Sequence, residues 1–183
     1  MLKLKIPLII LVGLILCAFY AGSVNLKDKL IRVHVVANSN TKIDQALKLK
    51  VRDEILRLSG ELLSGVKEKT EAEKILAENL DQAKAVALET ISENGFDYDV
   101  KVSLQNEKAP ESYYGSFTLP SGEYTAFRVI IGQGAGKNFW CVMFPPLCLN
   151  SAEVNLKDYH LNQKEIDLIK KGKTVYKYKS WIS

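Results

Sequence analysis

Two histidines and three cysteines in 183 residues leave little from which to build a metal centre. Structural zinc wants four nitrogen or sulfur ligands at close spacing. Here Cys141 and Cys148 stand seven apart with only His34 and His160 to help, and Cys17 sits in an apolar run far upstream. No Gly-x-Ser-x-Gly elbow occurs, so the sharp turn that presents a hydrolase serine has no sequence behind it. No pair of Asp or Glu residues stands in a context that shields it from water, which leaves no acid–base dyad to assign. A field of one charge is missing too. The formal net charge is +4, but residues 1–30 and 151–183 carry +3 each and residues 31–150 carry −2. Without a central basic field or an aromatic–basic stripe, nucleic-acid binding is excluded, and nothing calls for a cofactor or a small-molecule substrate.

What is present is an ordinary globular composition, 47% hydrophobic and 25% charged, which rules out wholesale disorder. A body of this size buries roughly two-thirds of its unfolded surface and needs neither metal nor dense disulfides to fold. The first residues read as a targeting segment. Lys3 and Lys5 make a positive start, and Ile6 to Ala21 is uncharged. That run is shorter than the roughly 20 residues a spanning helix requires and suits a signal-peptide core. Ala21-Gly22-Ser23 offers a cleavage site after Ser23, although the same charge pattern also directs an uncleaved anchor with its C-terminus outside. Bulky Leu16 before Cys17 argues against lipidation there. The chain therefore divides into a signal peptide or anchor (1–23), a polar linker (24–30), an α+β body (31–150) and a C-terminal extension (151–183). In an oxidising compartment Cys141 and Cys148 read as a disulfide; two buried thiols are the alternative.

Within the body, Ile31 to Ala37 alternates as a strand does. From Asp44 to Leu63 the pattern is helical, with Leu47, Val51, Ile55, Leu58 and Leu62 on one stripe. Leu49, Leu56 and Leu63 recur on the opposite side, as either a second buried face or a seam for a partner. Thr70-Glu-Ala-Glu73 is a capping box opening a second helix that ends at Asn94-Gly95. The grammar then switches to strands: Tyr98 to Leu104, Tyr113 to Leu119, Glu123 to Ile131, and Asn138 to Phe144. The last is apolar enough to expect a central strand covered on both faces. A helix over Asn162–Lys171 and a strand over Thr174–Ile182 follow. These make an α+β fold: strand, two helices, an antiparallel meander sheet and a C-terminal helix-strand.

Three features could carry function. Gly132-Gln-Gly134-Ala-Gly136-Lys137 resembles a phosphate-cradling loop, but Ile131 stands where its first glycine belongs, Asn138 replaces the Ser or Thr, and a strand follows instead of a helix. A flexible hairpin is the expectation. His34, Ser39 and Asp44 can be drawn as a nucleophile triad, while Arg32 and His34 on one strand face suit a structural polar cluster equally well. The apolar residues that exceed the needs of one core are Leu49, Leu56 and Leu63 together with the loop Phe144, Pro145, Pro146 and Leu147; these are the candidate partner surface.

Several blocks carry a resemblance. His34-Val-Val-Ala-Asn-Ser39 followed by Asp44 to Asp53, the stretch Tyr114 to Tyr124, and above all Lys137-Asn-Phe-Trp-Cys-Val-Met-Phe-Pro-Pro-Leu-Cys148 are similar to the stage II sporulation protein R family over residues 31–150. The resemblance implies a signalling protein of endospore formers, exported from the forespore into the space between the two membranes. There such a protein triggers a membrane-embedded aspartic peptidase of the mother cell, which processes the sporulation sigma-E precursor. On that expectation the chain is a ligand and not an enzyme. The other expectation is an exported hydrolase acting on cell-wall material through His34, Ser39 and Asp44.

Overall fold

The computed structural model describes residues 26–114, 117–150 and 154–170. The leader and the strand expected over Thr174–Ile182 lie outside them.

Strand β1 (Ile31–Val36) is buried at all six positions. Ile31, Val33 and Val35 face one side and Arg32, His34 and Val36 the other, as the strand period of two requires. Helix α1 (Lys42–Leu62) is N-capped by Thr41, whose Oγ1 accepts the Asp44 N–H at 3.2 Å, satisfying one of the donors a helix start leaves open.

The single helix expected after it is two, α2 (Lys69–Glu78) and α3 (Leu80–Glu93). They break at Asn79, which leaves the helical region (φ −114°, ψ 21°); its side-chain amide donates to Ile75 O at 2.7 Å. The capping box is not used. Glu68 is the N-cap and its side chain makes no capping bond, while Glu73 is engaged elsewhere, accepting from Thr125 Oγ1 at 2.7 Å and pairing with Lys69 at 3.2 Å. The Asn94-Gly95 stop does hold. Gly95 takes φ 80°, and the Gly95 and Phe96 N–H groups return to Ser92 O and Ile91 O, the paired bonds of a Schellman end.

The strands are β2 (Val100–Ala109), the short pair β3 (Ser112–Tyr113) and β4 (Thr118–Leu119) where one strand was expected, β5 (Gly122–Ile131) and β6 (Asn138–Phe144). A short helix α4 (Leu147–Asn150), a 3-10 turn at Leu156–Tyr159 and helix α5 (Gln163–Lys170) complete the order.

The fold is α+β, but the main sheet is mixed and not a simple antiparallel meander. Its order is β2-β5-β1-β6, with β1 parallel to β5 and antiparallel to β6. The fully buried strand is β1, and it takes the centre; β6 lies at the edge, its first residues exposed or half-exposed. Since β5 and β6 flank β1, the link between them passes over the end of β1 and is not a hairpin. The glycines permit that passage. A Cβ on Gly136 would stand 2.2 Å from Ser39 O, and one on Gly132, at φ 55°, would meet the Asn38 side chain. Ala135 and Gly136 N–H donate to Asn38 O and Ala37 O, and Lys137 N–H to Asn40 Oδ1.

Two cores result. On one face α1, α2 and α3 cover Val33, Val35, Phe127, Val129, Cys141 and Met143. On the other, Leu26, Leu30, Tyr124, Val142, Ile166 and Ile169 pack together. Residues 26–30, the described part of the segment expected as a polar linker over 24–30, thus begin and end on buried leucines, Leu26 and Leu30, with Lys27 and Asp28 exposed between them. Lys29 ties them to α5 through a 2.7 Å ion pair with Glu165, which is 3% exposed.

Candidate functional site: a partner surface on α1 and the disulfide loop

The seven candidate surface residues come from α1 and the residue after it and from the end of β6 through the start of α4, and the fold gathers five of them on two clefts. Cys141 on β6 and Cys148 in α4 are disulfide-bonded, with Cα atoms 6.1 Å apart. The bond closes the Phe144–Leu147 loop back on its strand, and Val142 N–H donates to Cys148 Sγ. The Phe144–Pro145 peptide is cis.

Leu49 is 40% exposed. Leu56 is buried and forms a wall of a cleft of about 350 Å³ shared with Arg52, Phe117, Phe139, Leu147 and Cys148. Leu63, half-buried, lines a second cleft of about 250 Å³ with Met143, Phe144, Pro146 and Tyr159. Phe144, Pro145 and Leu147 are buried and Pro146 is half-exposed; the Phe144 ring meets Tyr159 edge-on at 5.3 Å. The apolar surplus therefore divides. Leu49, Leu63 and Pro146 reach the surface, and the others shape the walls or fill the cores.

The drawn triad is not assembled. His34 is 4% exposed on the sheet face away from α1. Its Nδ1 lies 3.0 Å from Glu107 Oε2 and its Nε2 3.0 Å from Asn138 Oδ1, while its ring stacks on Trp140 at 3.9 Å. Ser39 Oγ accepts the Thr41 N–H at 3.2 Å. Asp44 is buried beside Asn38 Nδ2 at 2.9 Å and Tyr98 Oη at 3.2 Å. The Ser39 hydroxyl above all, with Asn38, Tyr98 and Thr41, holds the Asp44 carboxyl below the usual carboxylate range against the opposing effect of burial. Asp44 organises the start of α1, and His34 belongs to a polar cluster. His160 is exposed, with Nε2 2.6 Å from Glu68 Oε1.

Other features escaped the sequence reading. Arg32 is fully buried. Its guanidinium donates to Pro110 O at 3.1 Å and to Ser112 Oγ and Tyr114 Oη at 2.8 Å each, and it lies 5.2 Å from the Trp140 ring centroid. Tyr114 Oη passes the chain on to Trp140 O at 2.8 Å. The strand alternation marked Arg32 and His34 as facing together, but the partners come from residues 73 or more positions away. Lys48, read only as a helix residue, is also buried. Among the described residues no cluster of three or more His, Cys, Asp or Glu residues could hold a metal ion, and no helix is long and apolar enough to cross a membrane.

Fold and surface together define a two-core α+β domain with a mixed sheet and a disulfide-closed loop beside a long helix. Residues 27–154 match the stage II sporulation protein R family (spore_II_R), and the chain belongs to that family. Stage II sporulation protein R of Bacillus subtilis (strain 168) is 37% identical over 124 residues, covering 66% of this chain and 54% of that protein. The chain thus matches about half the length of this curated relative. No solved structure matches it.

Proposed function

We propose that the chain is an exported sporulation signal that binds and activates a membrane-embedded aspartic peptidase, which then processes the sigma-E precursor. The family supplies the sporulation context. The observation that carries the ligand reading is the pair of clefts flanking the disulfide-closed loop, one of mixed lining with Arg52, Asp53, Leu56 and Leu147 and one mainly apolar with Leu63 and Pro146. The engagement of His34 by Glu107 and Asn138, away from Ser39 and Asp44, weighs against the hydrolase alternative.

A ligand shifts a two-state receptor only by its differential affinity for the active state. Moving such an equilibrium from 1:99 to 99:1 takes about 5.5 kcal/mol of preference, which a modest protein interface supplies. The chain would act between forespore and mother-cell membranes, after its leader is cleaved or while the leader anchors it.

The test is pull-down of the exported domain with the candidate peptidase's membrane region, read beside precursor processing, with His34→Ala as the control. Activation should follow the amount of protein bound and persist in folded His34→Ala. Processing driven by trace protein against a large excess of peptidase, and lost in folded His34→Ala, overturns the ligand reading in favour of the hydrolase. Intact protein recovered only from the cytoplasm overturns export.

A further inference from the structure

Lys48 is 5% exposed, yet among the described residues it has no carboxylate partner. Its Nζ donates to Gln45 Oε1 at 2.7 Å and to Lys137 O at 2.9 Å, two neutral oxygens. An ammonium has three donors, so one donor and the whole charge go without a counter-ion, an expensive condition for a buried cation. Burial, with help from nearby Arg52 and Lys137, holds the Lys48 ammonium below the usual lysine range. Lys137 is exposed and likewise lacks a carboxylate partner among the described residues. Arg52 is paired with its neighbour Asp53 at 2.6 Å and lies 4.8 Å from the Phe139 ring centroid. Three cations thus face one carboxylate.

The cluster opens onto a cleft lined by both polar and apolar groups, Asp53 among them. Arg52 and Phe139 line the 350 Å³ cleft that runs to Leu56 and Leu147. Leu49, one residue after Lys48, stands exposed on the same helix. Arginine and aromatic side chains bordering an apolar pocket are the usual anchors of protein interfaces.

We propose that Lys48, Arg52 and Lys137 form an anion-recognition site, continuous with the Phe139–Leu56 cleft, for an acidic peptide segment of a protein partner that carries an apolar residue beside its carboxylates. Lys48 is the fixed base of the site, and Arg52 and Lys137 are its outer arms. The carboxylate supplies the counter-charge the fold omits, and the adjoining apolar residue enters the cleft. This deepens the ligand reading by naming the chemistry of the partner's contact.

The experiment uses the folded exported domain and three probes. Labelled domain is applied to an array of overlapping peptides from the candidate peptidase's membrane-external segments, each also made with Glu→Gln and Asp→Asn replacements. Capture of acidic–apolar peptides should weaken roughly tenfold or more in the amide versions and equally in Lys137→Glu or Arg52→Glu. Array capture indifferent to those changes overturns the site. Lys48→Met should lower capture while leaving the melting temperature unchanged or raised, since it removes an uncompensated charge; a large fall in melting temperature assigns Lys48 to the fold and overturns its role as the base. Vesicles of phosphatidylglycerol are the third probe, and binding to them that depends on Lys137 beside a blank array overturns the peptide in favour of a lipid headgroup. Precursor processing is scored separately. If the unaltered chain does not support it, the signalling reading fails while the array still decides the site.

Discussion

Replacing Arg32 with alanine removes the donor for Pro110 O, Ser112 Oγ and Tyr114 Oη at one stroke. The side chain is fully buried, so its loss combines three charge-assisted bonds with the cavity left behind, and Arg32→Ala is expected to destabilise the domain by about 3 kcal/mol, read as a lower urea midpoint. Arg32→Lys should recover little, because an ammonium cannot span the same fork of acceptors. Arg32 and Lys48 make an instructive contrast. Both are buried cations on neutral oxygens, but Arg32 also lies near the Trp140 and Tyr124 rings, while Lys48 meets like charge from Arg52 and Lys137. Asp44 gives the residue-scale pH dependence. Its folded carboxyl releases the proton more readily than the ordinary value of 3.8, so its stabilising contribution is complete above that value and is lost as pH falls through the folded one. Unfolding measured at about pH 6 and about pH 3 should therefore show a steeper acid loss for the native chain than for Asp44→Asn.

Among the elements, α1 separates its two stripes in a way a single mutation can read. Leu56 is 4% exposed and Leu49 is 40% exposed. Leu56→Glu places a charge in a cleft wall against the core and should unfold the domain, seen as loss of near-UV circular dichroism. Leu49→Glu should keep the fold and lower precursor processing, through repulsion of the proposed acidic partner. The loop closed by Cys141–Cys148 is short, and its bond contributes roughly 2–3 kcal/mol in the chain-entropy account. The double Cys→Ser variant should fold, melt several degrees lower and signal poorly. Helix α1 was legible because its periodicity is local: the Leu47–Leu62 stripe points inward as its spacing requires. The sheet order was not. Nothing in the apolar run Asn138–Phe144 says that it joins β1 at the edge, because strand pairing is chosen by long-range burial and by where the glycine link can pass. The capping box at Thr70 failed for a similar reason, since Glu73 is claimed by Thr125 on β5. At the candidate surface the apolar surplus was visible in the sequence, but its division between walls and exposed contacts depends on a second core that no local pattern announces.

At the scale of the molecule, residues beyond the family match take part in the fold. The match ends at residue 154, yet Leu156, Leu161, Ile166 and Ile169 pack with Leu26, Leu30 and Val142, and Glu165 holds Lys29. A chain cut after residue 150 should lose cooperative unfolding and become protease-sensitive throughout the sheet; if it melts as the full chain does, the second core is dispensable. The placement of β1 has a consequence of another kind. It is the first of the described strands to be made, and both of its neighbours arrive late: Val33 pairs with Phe127 and with Cys141, each roughly a hundred positions on. Closing such distant pairs is entropically slow, so the emerging chain has no native sheet in which to lodge until nearly all of it is made. For a polypeptide that crosses a membrane before folding, that delay is an asset. On the proposed export route the sequence would enter the translocation channel in the extended form the channel accepts, and the sheet would close on the far side, where the two thiols would meet an oxidant.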